Sequence, residues 1–287
     1  MFRALVPLAL IVLAAAAPAA QRRSAIDVPA TLQRVGARVV EWYARAQSIV
    51  SQETVLTTPL RADLSSADFP RRLAYELRVA WDPGATGPGA LPEPSVLRQI
   101  LTINGRTPRD GDEPGCMDPK PITPEPLTML LPAEREAFAF SYAGTARIEG
   151  RTVLMLDYKG VAPGTPDVQW TEECVSVSLP GRARGRIWVD PETHDVLRLD
   201  EHLVGMFDFR VPREHQRRGS PTHMTIERAD SSIRYRRVSF DEPAETLMLP
   251  VEVDTVTVVR GGSMQRTRIT QRFSGFKRFI GDARIVE

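Results

Sequence analysis

The chain has 287 residues, with 37 lysines and arginines against 36 aspartates and glutamates, 42% apolar side chains and two cysteines. That balance excludes the overall positive field that nucleic-acid binding calls for, while the apolar content is ample for a packed core. All-β architectures of this size can be one domain, so length alone does not divide the chain.

Met1-Phe2-Arg3 carries one positive charge, Ala4 to Ala17 is apolar and uncharged, and Pro18-Ala19-Ala20 places small residues before polar Gln21-Arg22-Arg23. A basic start, a short apolar run and a small-residue site read as a secretory signal peptide over residues 1–20, cleaved after Ala20. The run is too short for a membrane-spanning helix, and no cysteine follows it to carry a lipid anchor. The expected location is periplasmic or extracellular, with residues 21–287 as a single domain. Removal of the leader leaves 36 basic and 36 acidic side chains.

From Pro29 onward Leu32, Val35, Val39, Trp42, Ala46 and Ile49 recur at steps of three and four, which predicts an amphipathic helix with Pro29 in its first turn. Leu73, Tyr75, Leu77, Val79 and Trp81 then alternate with polar or small residues, a strand with one apolar face. Asp82-Pro83-Gly84 ends it. A second strand, Leu97 to Ile103, stops at Asn104-Gly105, a hairpin turn signal. The Pro-rich stretch that follows leads to a short helix over Leu127–Leu131. Beyond residue 136 short strands alternate with turns: 137–148 and 152–158 around Glu149-Gly150, 184–189 and 196–204 around Asp190–Asp195, then 232–240, 251–260 and 265–273. This pattern predicts an antiparallel meander, mainly β, closed as a barrel or left as a curved open sheet.

Cys116 and Cys174 lie in loops rich in proline and glycine. An even count in an oxidising compartment favours a disulfide between them over a metal site or catalytic thiol. The four histidines, His194, His202, His215 and His223, lack metal-ligand spacing and read as turn and strand residues. Nucleophile elbow, phosphate loop and dinucleotide fingerprint are all missing, so no catalytic residue, metal or cofactor is expected. Basic residues cluster at Arg182, Arg184 and Arg186, at Arg210 to Arg218, at Arg234, Arg236 and Arg237, and at Arg266 and Arg268. They form either a stripe for anionic headgroups or an acidic partner, or a solvated sheet face balanced by neighbouring acids.

Several segments together carry a family likeness. A helix runs into Ser51-Gln52-Glu53-Thr54, and a strand ends at Ile103-Asn104-Gly105. Gly185-Arg186-Ile187-Trp188-Val189-Asp190-Pro191-Glu192-Thr193 precedes Val196-Leu197-Arg198, and the chain approaches its end through Arg272-Phe273-Ser274-Gly275-Phe276. The sequence resembles the LolA/LolB-like lipoprotein-carrier superfamily, especially its uncharacterised secreted bacterial members. The resemblance implies a strongly curved antiparallel half-barrel whose concave face is covered by the N-terminal helix and a short helix. Carriers of that family hold acyl chains between sheet and helices. The function expected here is non-enzymatic binding of a lipid or acyl chain, lined by Val39, Trp42, Ile49, Leu73, Tyr75, Leu77, Val79 and Trp81. The same residues would equally make a closed core. In that case an envelope interaction module, binding a partner protein through a sheet edge or the basic stripe, is the alternative.

Overall fold

The computed structural model describes residues 26–45, 49–81, 94–109, 112, 125–171, 174–216, 221–261 and 266–278. The leader expected over residues 1–20 and Cys116 lie outside them, as does the side chain of Trp81.

Helix α1 spans Val28–Arg45. Asp27 caps it, its carboxylate accepting the Ala30 amide at 3.0 Å, and Pro29 sits in the first turn, where its missing N–H costs nothing. Leu32, Val35, Val39 and Tyr43 are buried along one side with Trp42 half-buried beside them, while Arg38 and Arg45 flank Glu41 at 2.6 and 2.9 Å on the other. The helical stripe does not reach Ile49, which instead opens strand β1 (Ile49–Pro59). The β-branched run Val55, Thr57 and Thr58 and the alternation of buried Ile49, Ser51, Glu53, Val55 and Thr57 belong to a strand.

One antiparallel sheet of eleven strands makes up most of the protein. Strands β2 (Arg71–Trp81), β3 (Pro94–Ile103), β4 (Phe138–Ile148) and β5 (Arg151–Gly160) fall where alternation predicts them. So do β8 (Ala183–Val189), β9 (Val196–Leu203), β11 (His223–Asp241), β12 (Ala244–Arg260) and β13 (Arg266–Arg278), the last three longer than expected. β10 (Phe207–Arg210) is a short addition to β11. The segments around Cys174, expected as loops, instead form a separate two-stranded sheet, β6 (Asp167–Trp170) with β7 (Val175–Ser178). Val168, Trp170, Val175 and Val177 supply the β-formers that the surrounding prolines obscure.

The strand order is β3-β2-β1-β13-β12-β11-β9-β8-β5-β4, open between β3 and β4. Ten strands at about 4.8 Å would make a flat sheet nearly five times as wide as a helix is thick. Yet α1 packs into one cluster with Leu77 of β2, Leu156 of β5, Ile187 of β8, Leu199 of β9, Ile233 of β11, Val253 of β12 and Phe273 of β13. The sheet therefore curls around the helix, and the short 3-10 helix Glu125–Leu130 packs into the same interior through Leu127, Met129 and Leu130.

The β11–β12 hairpin leaves this sheet. β9 pairs with β11 only from His202–Asp230 to Arg198–Arg234, and β12 pairs with β13 only from Glu252–Arg272 to Val258–Arg266. Beyond those points Tyr235 to Val251 pair with one another alone, forming an arm that crosses α1. The Trp42 indole N–H donates to the Met248 carbonyl, and Arg45 reaches Glu245 at 3.2 Å.

Candidate functional site

Three polar groups are built into the helix-facing side of the sheet. Glu53, 1% exposed, stands where the strand alternation calls for an apolar residue. Arg98 on β3 shares that face and forks onto it, Nε and Nη2 at 2.9 and 2.7 Å, while Gln271 on β13 donates at 2.9 Å and Tyr75 stacks 3.9 Å from the guanidinium. Such an arrangement satisfies a buried carboxylate without water. In the second, the Tyr158 hydroxyl donates to Glu201 at 2.9 Å, and burial raises both groups above their ordinary pKa. Gly185 makes room for this contact, since a Cβ there would sit 1.9 Å from the Asp200 carbonyl and 2.7 Å from the Tyr158 hydroxyl.

The third group ties the lid down. Asp195, in the turn before β9, accepts from Arg38 of α1 at 2.7 Å, from Arg237 of the arm at 2.9 Å and from Thr193 at 2.9 Å. Burial pushes its carboxyl up, but the two guanidiniums and the hydroxyl outweigh that and hold it below the usual aspartate value. Helix, turn and arm thus meet on one carboxylate.

The expected lining residues divide. Val39 and Leu77 are buried in the large cluster, with Trp42 and Val79 packed against it. Ile49 joins Phe240, Leu247 and Leu249 under the arm, and Leu73 and Tyr75 form a third group with Val55 and Ile103. Between α1, the arm and the turn before β9, beside Trp42 and Met248, a small pocket has a volume of about 30 Å³, room for a water or two at about 10–15 Å³ each and not for an acyl chain.

A larger space opens where the arm parts from the sheet. This cleft has a volume of about 1050 Å³, the upper end of the ligand-site range of about 300–1,000 Å³. Its floor is Phe273, Phe276, Tyr235, Met248 and Val251, and its rim is arginine. Arg198, Arg234 and Arg272 stand in register with Glu252 and Thr54 across five strands. They face away from α1, because Leu199, Ile233, Val253 and Gln271 hold the alternate, helix-facing positions. Tyr235 and Met248 line both the cleft and the small pocket against α1.

Glu53, Arg98 and the latch on Asp195 were missed by reading the sequence for catalytic motifs. A usable signal existed for the first pair: an acid at an inward position of one alternating strand and an arginine at an inward position of another. The cleft had no comparable signal, since its rim comes from six separate segments. Among the described residues no group of three or more histidine, cysteine or acidic side chains is placed to hold a metal ion, and no helix is long and apolar enough to cross a membrane.

No family model and no curated protein matches the sequence. Among solved structures the chain is similar to a domain from Vibrio parahaemolyticus assigned to outer membrane lipoprotein sorting, with 9% identity over 87% of this chain and 92% of that one, at a TM-score of 0.42. A DUF1329 family protein from Desulfovibrio piger gives 10% identity, 88% and 94% coverage and a TM-score of 0.40. A LolA superfamily protein from Nitrosomonas europaea gives 8% identity, 92% and 99% coverage and a TM-score of 0.35.

Proposed function

We propose that the protein binds an apolar or lipid-like ligand outside the cytoplasm without chemical turnover, as a single domain over residues 21–287 released from a leader at 1–20. The observation that carries this reading is that Tyr235 and Met248 line both the arginine-rimmed cleft and the small pocket against α1. Rotation of these two side chains, or lifting of the arm and helix together, would join the spaces. A ligand would then meet Val39, Trp42, Ile49, Leu77 and Val79, with Leu73 and Tyr75 further along the same strand face. Each buried methylene would contribute about 0.8 kcal/mol, and closure of the lid would restore the compact core on release.

Titration with a lysophosphatidylcholine, followed by tryptophan fluorescence, tests this. A saturable blue shift that Trp42→Phe diminishes is the expected result. Unchanged emission at every concentration below micelle formation, with no lipid retained in native mass spectrometry, would refute it.

A second reading, a module for an envelope partner protein, draws on one feature. Strand β3 is a sheet edge, and its Leu97 and Leu101 are 60% and 39% exposed. An extended segment of a partner added at that edge would cover both.

A further inference from the structure

The outer face of the sheet is crowded with charge, but the charge is not evenly spent. Away from the cleft several arginines of this face each have an acid of their own: Arg186 with Asp157 at 2.6 Å, Arg260 with Glu227 at 3.1 Å, Arg268 with Asp254 at 3.7 Å, and Arg228 with Asp230. Around the cleft arginines outnumber the acids: Arg151, Arg198 and Arg237 pair with Asp190, Asp200 and Asp195 at 3.9, 2.8 and 2.9 Å, and the other five have two glutamates between them. Eight of its described lining residues are arginine and two are glutamate. Arg234 and Arg272 share Glu252, whose carboxyl burial pushes up and their hydrogen bonds and charge bring below the usual glutamate value. Arg236 lies 3.6 Å from Glu149 with both side chains largely exposed, so the pair contributes little. Arg72 and Arg147 have no side-chain acid partner among the described residues. The excess is local, because the chain as a whole is nearly neutral, at +1.

Guanidiniums gathered in this way repel one another, and the repulsion is relieved by an anion that several can fork onto. The same cleft has an aromatic and aliphatic floor in Phe273, Phe276 and Val251 that leads to the interior. We propose that the cleft binds a phosphate monoester group, and that the ligand of this protein is an amphiphile whose phosphate is held at this arginine rim, where Arg72, Arg147, Arg236 and the Arg234–Arg272 pair carry the excess charge, while its chain enters past Tyr235 and Met248. The proposal rests on the apolar-ligand reading for the chain and on the arginine rim for the phosphate.

The test uses the mature protein and three probes below micelle formation: dodecyl phosphate, neutral dodecyl maltoside, and inorganic pyrophosphate as a phosphate without a chain. The variant Arg72→Gln/Arg147→Gln/Arg236→Gln removes exposed charge and leaves the packed core untouched, so its thermal midpoint should stay within about 2 °C of wild type, as expected of surface changes. Dodecyl phosphate should bind at least tenfold tighter than dodecyl maltoside at low salt. That preference should fall below threefold in the triple variant and in 0.5 M salt. Equal affinity for the two amphiphiles, or a preference the variant retains, overturns the phosphate site and leaves the apolar reading standing. Pyrophosphate binding that the variant abolishes, with neither amphiphile bound, supports the anion site for a free phosphate and overturns the apolar reading. No binding of any probe overturns both.

Discussion

Asp195→Asn should loosen the lid without disturbing the sheet. The carboxylate is 2% exposed and takes hydrogen bonds from Arg38, Arg237 and Thr193. A bond to a charged group is worth about 1.5–3 kcal/mol, and removing one partner of a buried pair costs about 3–5 kcal/mol. Here the two arginine side chains are 35% and 40% exposed and regain water when released, so the lower part of that range applies, about 2–3 kcal/mol. Asparagine keeps the shape but offers one oxygen where two guanidiniums need two. Because Arg38 is on α1 and Arg237 on the arm, the loss should fall on their opening: amide exchange in α1 should accelerate about 30- to 150-fold while inner strands β8 and β9 exchange as before. The pH dependence carries the same signature. A carboxyl held below its unfolded value of about 3.9 stabilises the fold fully above that pH, and the contribution disappears as pH falls through the folded value. The stability gap between wild type and Asp195→Asn should therefore be constant from pH 5 to 7 and shrink below about pH 4. Urea unfolding and hydrogen exchange measure both. A gap under about 0.5 kcal/mol at pH 7, ordinary for a surface site, with α1 exchange unchanged would refute the latch.

Three further outcomes follow from other residues. Glu53→Ala should cost about 3–5 kcal/mol by stranding Arg98, which is 13% exposed, whereas Glu53→Met with Arg98→Met should recover most of it; denaturant melts of the double-mutant cycle decide, and additive losses would show that the pair is uncoupled. Gly185→Ala should destabilise by about 1–3 kcal/mol, because the new methyl meets the Asp200 carbonyl and Tyr158; an unchanged melting midpoint would show that the strand yields there at no cost. Cys116 and Cys174 should appear as one linked peptide pair in non-reducing maps, and two alkylatable thiols in the folded, oxidised protein would rule the bridge out.

Alternation and helical spacing carried most of the secondary structure. β2, β5 and β8 bury alternate residues on one face, so their period of two is visible in the residues, and α1 shows its stripe up to Trp42. β1 escaped notice because its inner face holds Ser51, Glu53 and Thr57 among Ile49 and Val55. A strand that buries polar groups looks solvated until their partners are known, and those partners, Arg98 and Gln271, come from elsewhere in the chain. β6 and β7 were hidden for another reason: four-residue strands between prolines are too short for a period to register.

What the residues alone determined is local: which segments are strands, where tight turns fall, which helix face is apolar and that the fold is mainly β. Those features follow from nearest-neighbour backbone chemistry and from one-sided burial, which leave a period in the sequence. The site is of a different kind. Setting β1 between β2 and β13, peeling the β11–β12 arm off the sheet and bringing arginines from six segments to one cleft are matters of pairing between distant residues. Each arginine by itself reads as an ordinary solvated strand residue. Only the tertiary structure decides that their acids are too few, because the ratio of charges in a cleft is a property of the assembled surface and has no counterpart along the chain.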